Sequence, residues 1–375
     1  MKILVAPDSF KESLSAVEAA AAICRGFESV FPEAQIVALP MADGGEGTLD
    51  ALLSATEGER RTARVRGPLG SIVEASWGML GDGRTAIIEM AQASGLHLVP
   101  REQRNPLNSS SEGVGDLILA ALTAGAKHCL ISLGGSATVD GGLGMLRALG
   151  VKCLDADGEL VVGGGGALNS IRSVHSEALH PILQSCSFTV LADVENPAVG
   201  PLGAARVFAP QKGADPVMVV ELERGLEHWT QLVNPALATK SRSGAAGALG
   251  FALAAFLGAS LRSGVEVVAE TLGLGKACSE ASIVITGEGC INFQTPHGKV
   301  PSGVAAVAKR WKRPVLAIAG TLGDGYEAVL DAGIDAVFSI SPGPGTLEHS
   351  IEHAKVYLER ASQQIARTLK VGREL

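Results

Sequence analysis

Charged residues are scarce in this chain, 19% of 375, and no run of lysine or arginine gathers them into a basic patch. With a net charge of −8 there is no general attraction for nucleic acid, so no nucleic-acid partner is expected. An anionic small molecule has to be held by local cations or backbone N–H groups. The six cysteines, at 24, 129, 153, 186, 278 and 290, include no CxxC pair and sit mostly in apolar segments. That usage suits reduced thiols in a reducing compartment, and disulfides are not expected. The longest apolar stretches, such as 245–261, are Ala-rich and broken by glycine, short of the ~20 strongly apolar residues of a membrane span. The N-terminal run Ile3-Leu4-Val5-Ala6 is too short for a signal segment and is broken at once by Pro7 and Asp8. These absences point to a soluble cytoplasmic protein with no membrane partner. No repeat of fixed period and no disordered linker is visible.

What is present is a 46% hydrophobic, Ala- and Gly-rich chain of the kind that folds as a well-buried α/β protein. Its length exceeds what one core usually organises, which favours two domains and a cleft. Residues 2–6 form a continuous apolar run, the signature of a buried strand. A helix follows, with Ser15 and Glu18 spaced as a capping box and Val17, Ala20, Cys24 and Phe27 as its apolar face. A second strand at 35–39 leads through a Gly-rich loop into a helix carrying Leu49, Leu52 and Leu53. Short strands at 61–66, 72–80 and 85–90, joined by Gly-Pro-Leu-Gly and Gly-Asp-Gly turns, then read as antiparallel. Alternation of strand and helix resumes at 282–286, 301–311, 315–319, 326–331 and 336–340, ending in a helix that carries Leu347, Ile351, Ala354 and Leu358.

Two β-α units at the start and three at the end predict one flavodoxin-like, doubly wound parallel sheet of order 2-1-3-4-5, interrupted by a large inserted mixed α/β domain. The expected boundaries are 1–57 with 282–375 for the first domain and 58–281 for the insertion. In such a sheet ligands bind at strand carboxyl ends beside the switch point, here the loops 8–11 and 287–289.

Several segments carry the elements of a chemistry. Residues 130–142 run from a strand into Gly134-Gly135-Ser136-Ala137-Thr138-Val139-Asp140-Gly141-Gly142 and then a helix. Glycines let the backbone approach an anion, and loop N–H groups point at it, so phosphate is the expected guest, with a tight strand-helix turn as the alternative. No Gly-Lys-Ser/Thr follows, so this is not a Walker A loop. The run 163–166 of four glycines, lacking a helix-start signal, reads as a flexible loop. The segment 42–48 sets Asp43 and Glu46 three residues apart among glycines at a helix start, where carboxylates complement the dipole or hold Mg²⁺ and a hydroxyl proton. Thr286-Gly287-Glu288-Gly289 and the stretch 294–301 form another strand-end loop, with Lys299 placed to contact phosphate or simply solvated and Pro301 near N1. Asp193 ends a strand at 188–192 as a base, a metal ligand or a turn former. Lys212 follows a short strand expected at 206–208. His349 and His353 lie i, i+4 in a polar helix with no HExxH glutamate and read as a solvated face.

Together these pieces resemble the type 1 glycerate kinase family: segments 6–11, 42–48, 134–144, 193–197, 210–214, 286–289 and 298–299 match in order over almost the whole chain. The resemblance implies a flavodoxin-like domain with an insertion similar to a restriction-endonuclease core, and ATP-dependent, Mg²⁺-assisted phosphorylation of D-glycerate, with the 2-position favoured. It departs at Cys290 and Asn292, where the family usually has Arg and Asp, at Val139, where Asn is usual, and at 241–247, usually richer in glycine.

Phosphoryl transfer requires a phosphate cradle, a metal carboxylate, a cation for the acid and an acceptor for the hydroxyl proton. The candidates are Asp43, Asp193 and Lys11 for catalysis, the two aspartates sharing the roles of Mg²⁺ ligand and base. Asp8, Ser9, Lys11, Glu46 and Lys212 are candidates for the substrate. Gly134, Gly135, Ser136, Thr138, Asp140, Gly141, Gly142, Glu288 and Lys299 are candidates for the nucleotide phosphates. A kinase of another small hydroxy acid, and a non-catalytic nucleotide- or glycerate-binding relative, stay open as alternatives.

Overall fold

Ile3, Leu4 and Val5 are almost wholly buried, as a continuous apolar run is when both faces of a parallel sheet are covered. The structure, a computed structural model, describes residues 1–374. Along these the strands are β1 (Lys2–Val5), β2 (Gln35–Ala38), β3 (Glu59–Arg66), β4 (Ile72–Met79), β5 (Thr85–Glu89) and β6 (His128–Ser132). They continue as β7 (Lys152–Leu154), β8 (Ser173–His175), β9 (Ser187–Ala192), β10 (Ser260–Ser263), β11 (Ile283–Ile291), β12 (Val315–Leu322) and β13 (Ala336–Ser339). The chain divides into two compact units, one of Met1–Asp43, Asp50–Ala55 and the chain from Val265 on, the other of Gly44–Leu49 and Thr56–Gly264.

In the first unit five parallel strands lie in the order β2-β1-β11-β12-β13. Ile3 stands opposite Ile36 on one side and Ile283 on the other. Helix Ala16–Glu28 starts on a capping box: Ser15 Oγ accepts from Glu18 N at 3.2 Å and Glu18 Oε2 accepts from Ser15 N at 3.0 Å. Its buried stripe is Ala16, Ala19, Ala20, Ala22, Ile23, Gly26 and Phe27, so Val17 and Cys24 of the expected face are only half-buried. The stripe is wider because the helix packs on helix Leu347–Glu374 as well as the sheet. A Cβ on Gly26 would lie 2.6 Å from the carbonyl oxygen of Glu359. The helix expected at 326–331 is a single turn, Ala328–Asp331.

In the second unit the sheet order is β10-β9-β6-β5-β4-β3. β3, β4 and β5 pair antiparallel, and β5, β6, β9 and β10 pair parallel, with β7 and β8 as a separate ribbon. The core is aliphatic around Trp229, whose indole donates to the carbonyl of Gly141 at 3.0 Å and stacks on Phe256. Two expectations give way here. Residues 206–208 belong to helix Ala204–Phe208, whose Ala204 and Ala205 face the core. The four-glycine run enters a 3₁₀ turn, Gly165–Ser170, and is packed: a Cβ on Gly165 would lie 2.3 Å from the carbonyl oxygen of Val139. No helix among the described residues is long and apolar enough to cross a membrane, and all six cysteines are free thiols.

Candidate active site

Loops at the carboxyl ends of parallel strands converge beside the switch point. In the first unit the loops after β1, β2 and β11 and the carboxyl-terminal ends of β11 and β12 line a cavity of about 540 Å³, faced by Asp8, Ser9, Lys11, Asp43, Glu288 and Lys299. Asp8 N donates to the carbonyl of Gly287 at 2.8 Å, and its Oδ1 accepts from Ser9 N at 2.7 Å. Burial, and after it the Asp43 carboxylate, push the Asp8 pKa up to about 8. Glu288 is buried as well; its Oε1 accepts from Thr295 Oγ1 at 2.7 Å and its Oε2 lies 3.5 Å from Lys299 Nζ. Burial raises its pKa against those donors. Lys11 is exposed and is followed by Glu12 in the left-handed region, φ 64°, which turns the chain toward the first helix. The oxygen-only carboxylate set suits a hard divalent cation, and the two lysines suit phosphate or carboxylate.

Two departures from the family resemblance touch one another here: Asn292 Nδ2 lies 3.7 Å from Cys290 Sγ, and Cys290 lines the cavity. His349 and His353 are tied to Tyr357, also on the cavity wall. The Tyr357 hydroxyl lies 3.0 Å from His349 Nε2, and its ring stacks on His353 with centroids 5.9 Å apart.

In the second unit the parallel strands β5, β6, β9 and β10 end at Glu89, Ser132, Ala192 and Ser263. The exposed Asp193 follows the end of β9 directly, and Gly134 follows Leu133 just past the end of β6. The loop 44–46 lies against them, and glycine is what allows it. A Cβ on Gly44 (φ 92°) would be 3.0 Å from Gly264 Cα, and one on Gly134 would be 2.7 Å from Gly45 Cα. Glu46 is exposed on this loop. The helix Thr48–Thr56 starts just after this loop. Its first N–H groups go to Glu89, whose Oε1 accepts from Leu49 N at 2.8 Å. Glu89 is buried, which raises its pKa against the N–H groups of Leu49 and Gly47, and the nearby Glu46 charge adds to the rise. Sequence reasoning missed Glu89, because nothing local marks a capping residue 40 positions away.

Several N–H groups of the Gly-rich loop and of the helix start after it are spent within the protein. Ala137 N donates to the Ser94 carbonyl, Gly141 N to the Gly247 carbonyl, Gly142 N and Gly144 N to the Asp140 carboxylate, and Met145 N to Ser111 Oγ. The anion at this helix start is therefore Asp140 itself, wholly buried and also accepting from Ser111 N at 2.9 Å and Ser111 Oγ at 2.8 Å. Burial pushes its pKa up against all four donors. Between Ser136 and Gly144 every residue is buried, and the loop meets the surface at Gly134 and Gly135. Thr138 Oγ1 is buried with no hydrogen-bond partner among the described residues. Lys212 is buried behind the loop, and its Nζ donates to Ser136 Oγ and the Thr138 carbonyl, each at 2.7 Å.

Parallel α/β sheets with acids and lysines gathered at strand carboxyl ends define a protein that handles a charged small molecule. The chain belongs to the glycerate kinase family, whose model matches residues 3–370. It is 52% identical over 376 residues to a protein of Escherichia coli (strain K12) named glycerate 2-kinase, covering 99% of both chains. It is 49% identical over 379 residues to one of Bacillus subtilis (strain 168) named glycerate kinase, covering 100% of this chain and 99% of that one. A crystal structure from Salmonella typhimurium LT2, assigned as glycerate kinase 2, superposes with a TM-score of 0.90 at 46% identity over the whole of both chains.

Proposed function

We propose that this protein is a cytoplasmic glycerate kinase that transfers the γ-phosphoryl group of ATP to a hydroxyl of D-glycerate, the 2-hydroxyl being favoured. The observation that carries the reading is the end-to-end likeness to proteins named glycerate kinase. The acid-and-lysine cavity of the first unit supports it. In fold terms the first unit is read as flavodoxin-like and the second as similar to a restriction-endonuclease core, the two units being the two domains.

The chemistry is mainly positioning and charge stabilisation. Asp43 and Asp193 share the roles of Mg²⁺ ligand and acceptor of the hydroxyl proton. Bound there, the ion would offset charge on the phosphates. Lys11 grips the glycerate carboxylate, with Asp8, Ser9 and Glu46 orienting the hydroxyls. Lys299, held near Glu288 at 3.5 Å, faces the phosphates. The rim of the Gly-rich loop, Gly134 and Gly135, offers backbone to an anion, while 136–142 and Lys212 hold that rim in shape.

ADP release with Mg-ATP and a panel of short hydroxy acids tests the substrate. D-Glycerate is expected to give the highest kcat/KM, and a different acid ahead of it by tenfold or more contradicts the reading.

A further inference from the structure

Resting on the kinase reading, we propose that the apolar end of the first unit's cavity, walled by Leu347, Ile351 and Tyr357, takes the nucleoside end of the phosphoryl donor, while the three-carbon acid keeps to the charged end beside Lys11. The first argument is size. A three-carbon acid has only about a third of the non-hydrogen atoms of a purine nucleoside, so a cavity of about 540 Å³ is far larger than the acid alone needs and has room for a nucleoside as well.

The second argument is where the lining comes from. The charged side chains Asp8, Lys11, Asp43, Glu288 and Lys299 come from loops around the strand ends and the start of helix Val300–Arg310. The apolar lining comes chiefly from elsewhere: Leu347, Ile351 and Ala354 repeat at helical spacing on one face of helix Leu347–Glu374, and Tyr357 continues that face. Glycerate has no apolar surface for such a wall to cover, whereas a purine ring gains from burial against it. Tyr357 is already held in place, its hydroxyl 3.0 Å from His349 Nε2 and its ring stacked on His353. A ring fixed in advance is a stacking face that costs little further ordering on binding.

The polar side fits the same ligand. Lys299 attracts phosphates, but Asp43 and Glu288 repel them, so a polyphosphate enters favourably only in company with a divalent cation. The Gly-rich loop of the second unit offers the donor little beyond its rim, because it is buried from Ser136 to Gly144 and the N–H groups of Gly142 and Gly144 already serve Asp140.

The test compares the full-length parent with Ser350→Trp and Leu347→Trp, which add a ring to the cavity lining at positions that are half-buried and exposed. Val356→Trp, on an exposed part of the same helix outside the cavity lining, controls for the added ring. Calorimetry with Mg-ADP and steady-state KM values for ATP and D-glycerate are the readouts. Both cavity variants should weaken Mg-ADP binding and raise KM for ATP about tenfold or more, with KM for glycerate within about twofold of the parent. The reverse split, or variants that match the parent in both constants, overturns the assignment while leaving the kinase reading intact. A parent that binds Mg-ADP and loses it in Ser350→Trp, yet releases no ADP with glycerate, upholds the assignment and fails the kinase reading.

Discussion

Lys212 and Ser136 are 76 residues apart in sequence and 2.7 Å apart between Nζ and Oγ, and the same ammonium donates to the Thr138 carbonyl. A residue expected to grip a substrate carboxylate thus has two of its three donors spent on the loop it lies behind. Burial pushes its pKa down to about 7, with Asp140 opposing. Between about 7 and the ordinary 10.5, the unfolded chain carries a proton that the folded one lacks. Stability from this group therefore rises with pH across that window, by up to ~1.4 kcal/mol per unit, and is flat below it. Urea unfolding at pH 7, 8 and 9 should show a steeper rise for the parent than for Lys212→Met. Identical slopes contradict the buried lysine.

Asp140 serves as the internal anion of the Gly-rich loop, so Asp140→Ala strands the N–H groups of Ser111, Gly142 and Gly144 and the Ser111 hydroxyl. The expected cost is ~3 kcal/mol or more in denaturant unfolding. A cost below ~1 kcal/mol would show that the donors find other partners.

Gly134→Ala would push a methyl into the backbone of Gly45 at 2.7 Å, where no flexible side-chain end is available to yield. We expect kcat/KM for glycerate to fall about tenfold or more, with a stability loss of ~1–3 kcal/mol in a thermal melt. Unchanged kinetics would separate this loop from the reaction.

Asp43→Ala and Asp193→Ala should each lower kcat ~10²-fold or more if one is the base and the other a Mg²⁺ ligand. Both variants within about threefold of the parent would remove these residues from the mechanism.

Local rules were readable in the sequence. The Ser15–Glu18 capping box, the buried run Ile3-Leu4-Val5 and the antiparallel turns after residue 66 depend on neighbours a few positions away, and the structure shows each. Long-range partners were not. Glu89 caps a helix whose first N–H lies 40 residues earlier, and Asp140 fills the anion position that its own glycines advertised for a phosphate. A Gly-rich strand-helix turn looks the same in sequence whether its anion comes from outside or from within. The residues 206–208 misled for a different reason: a three-residue window cannot separate a strand from the end of the helix Ala204–Phe208.

The most direct measurement is ADP release by the purified protein with Mg-ATP, with and without D-glycerate, followed by phosphorus NMR of the product. Glycerate-dependent release with a single phosphomonoester at the 2-position is the predicted result. No release above the glycerate-free rate, from a folded protein that binds Mg-ADP, would contradict the kinase account.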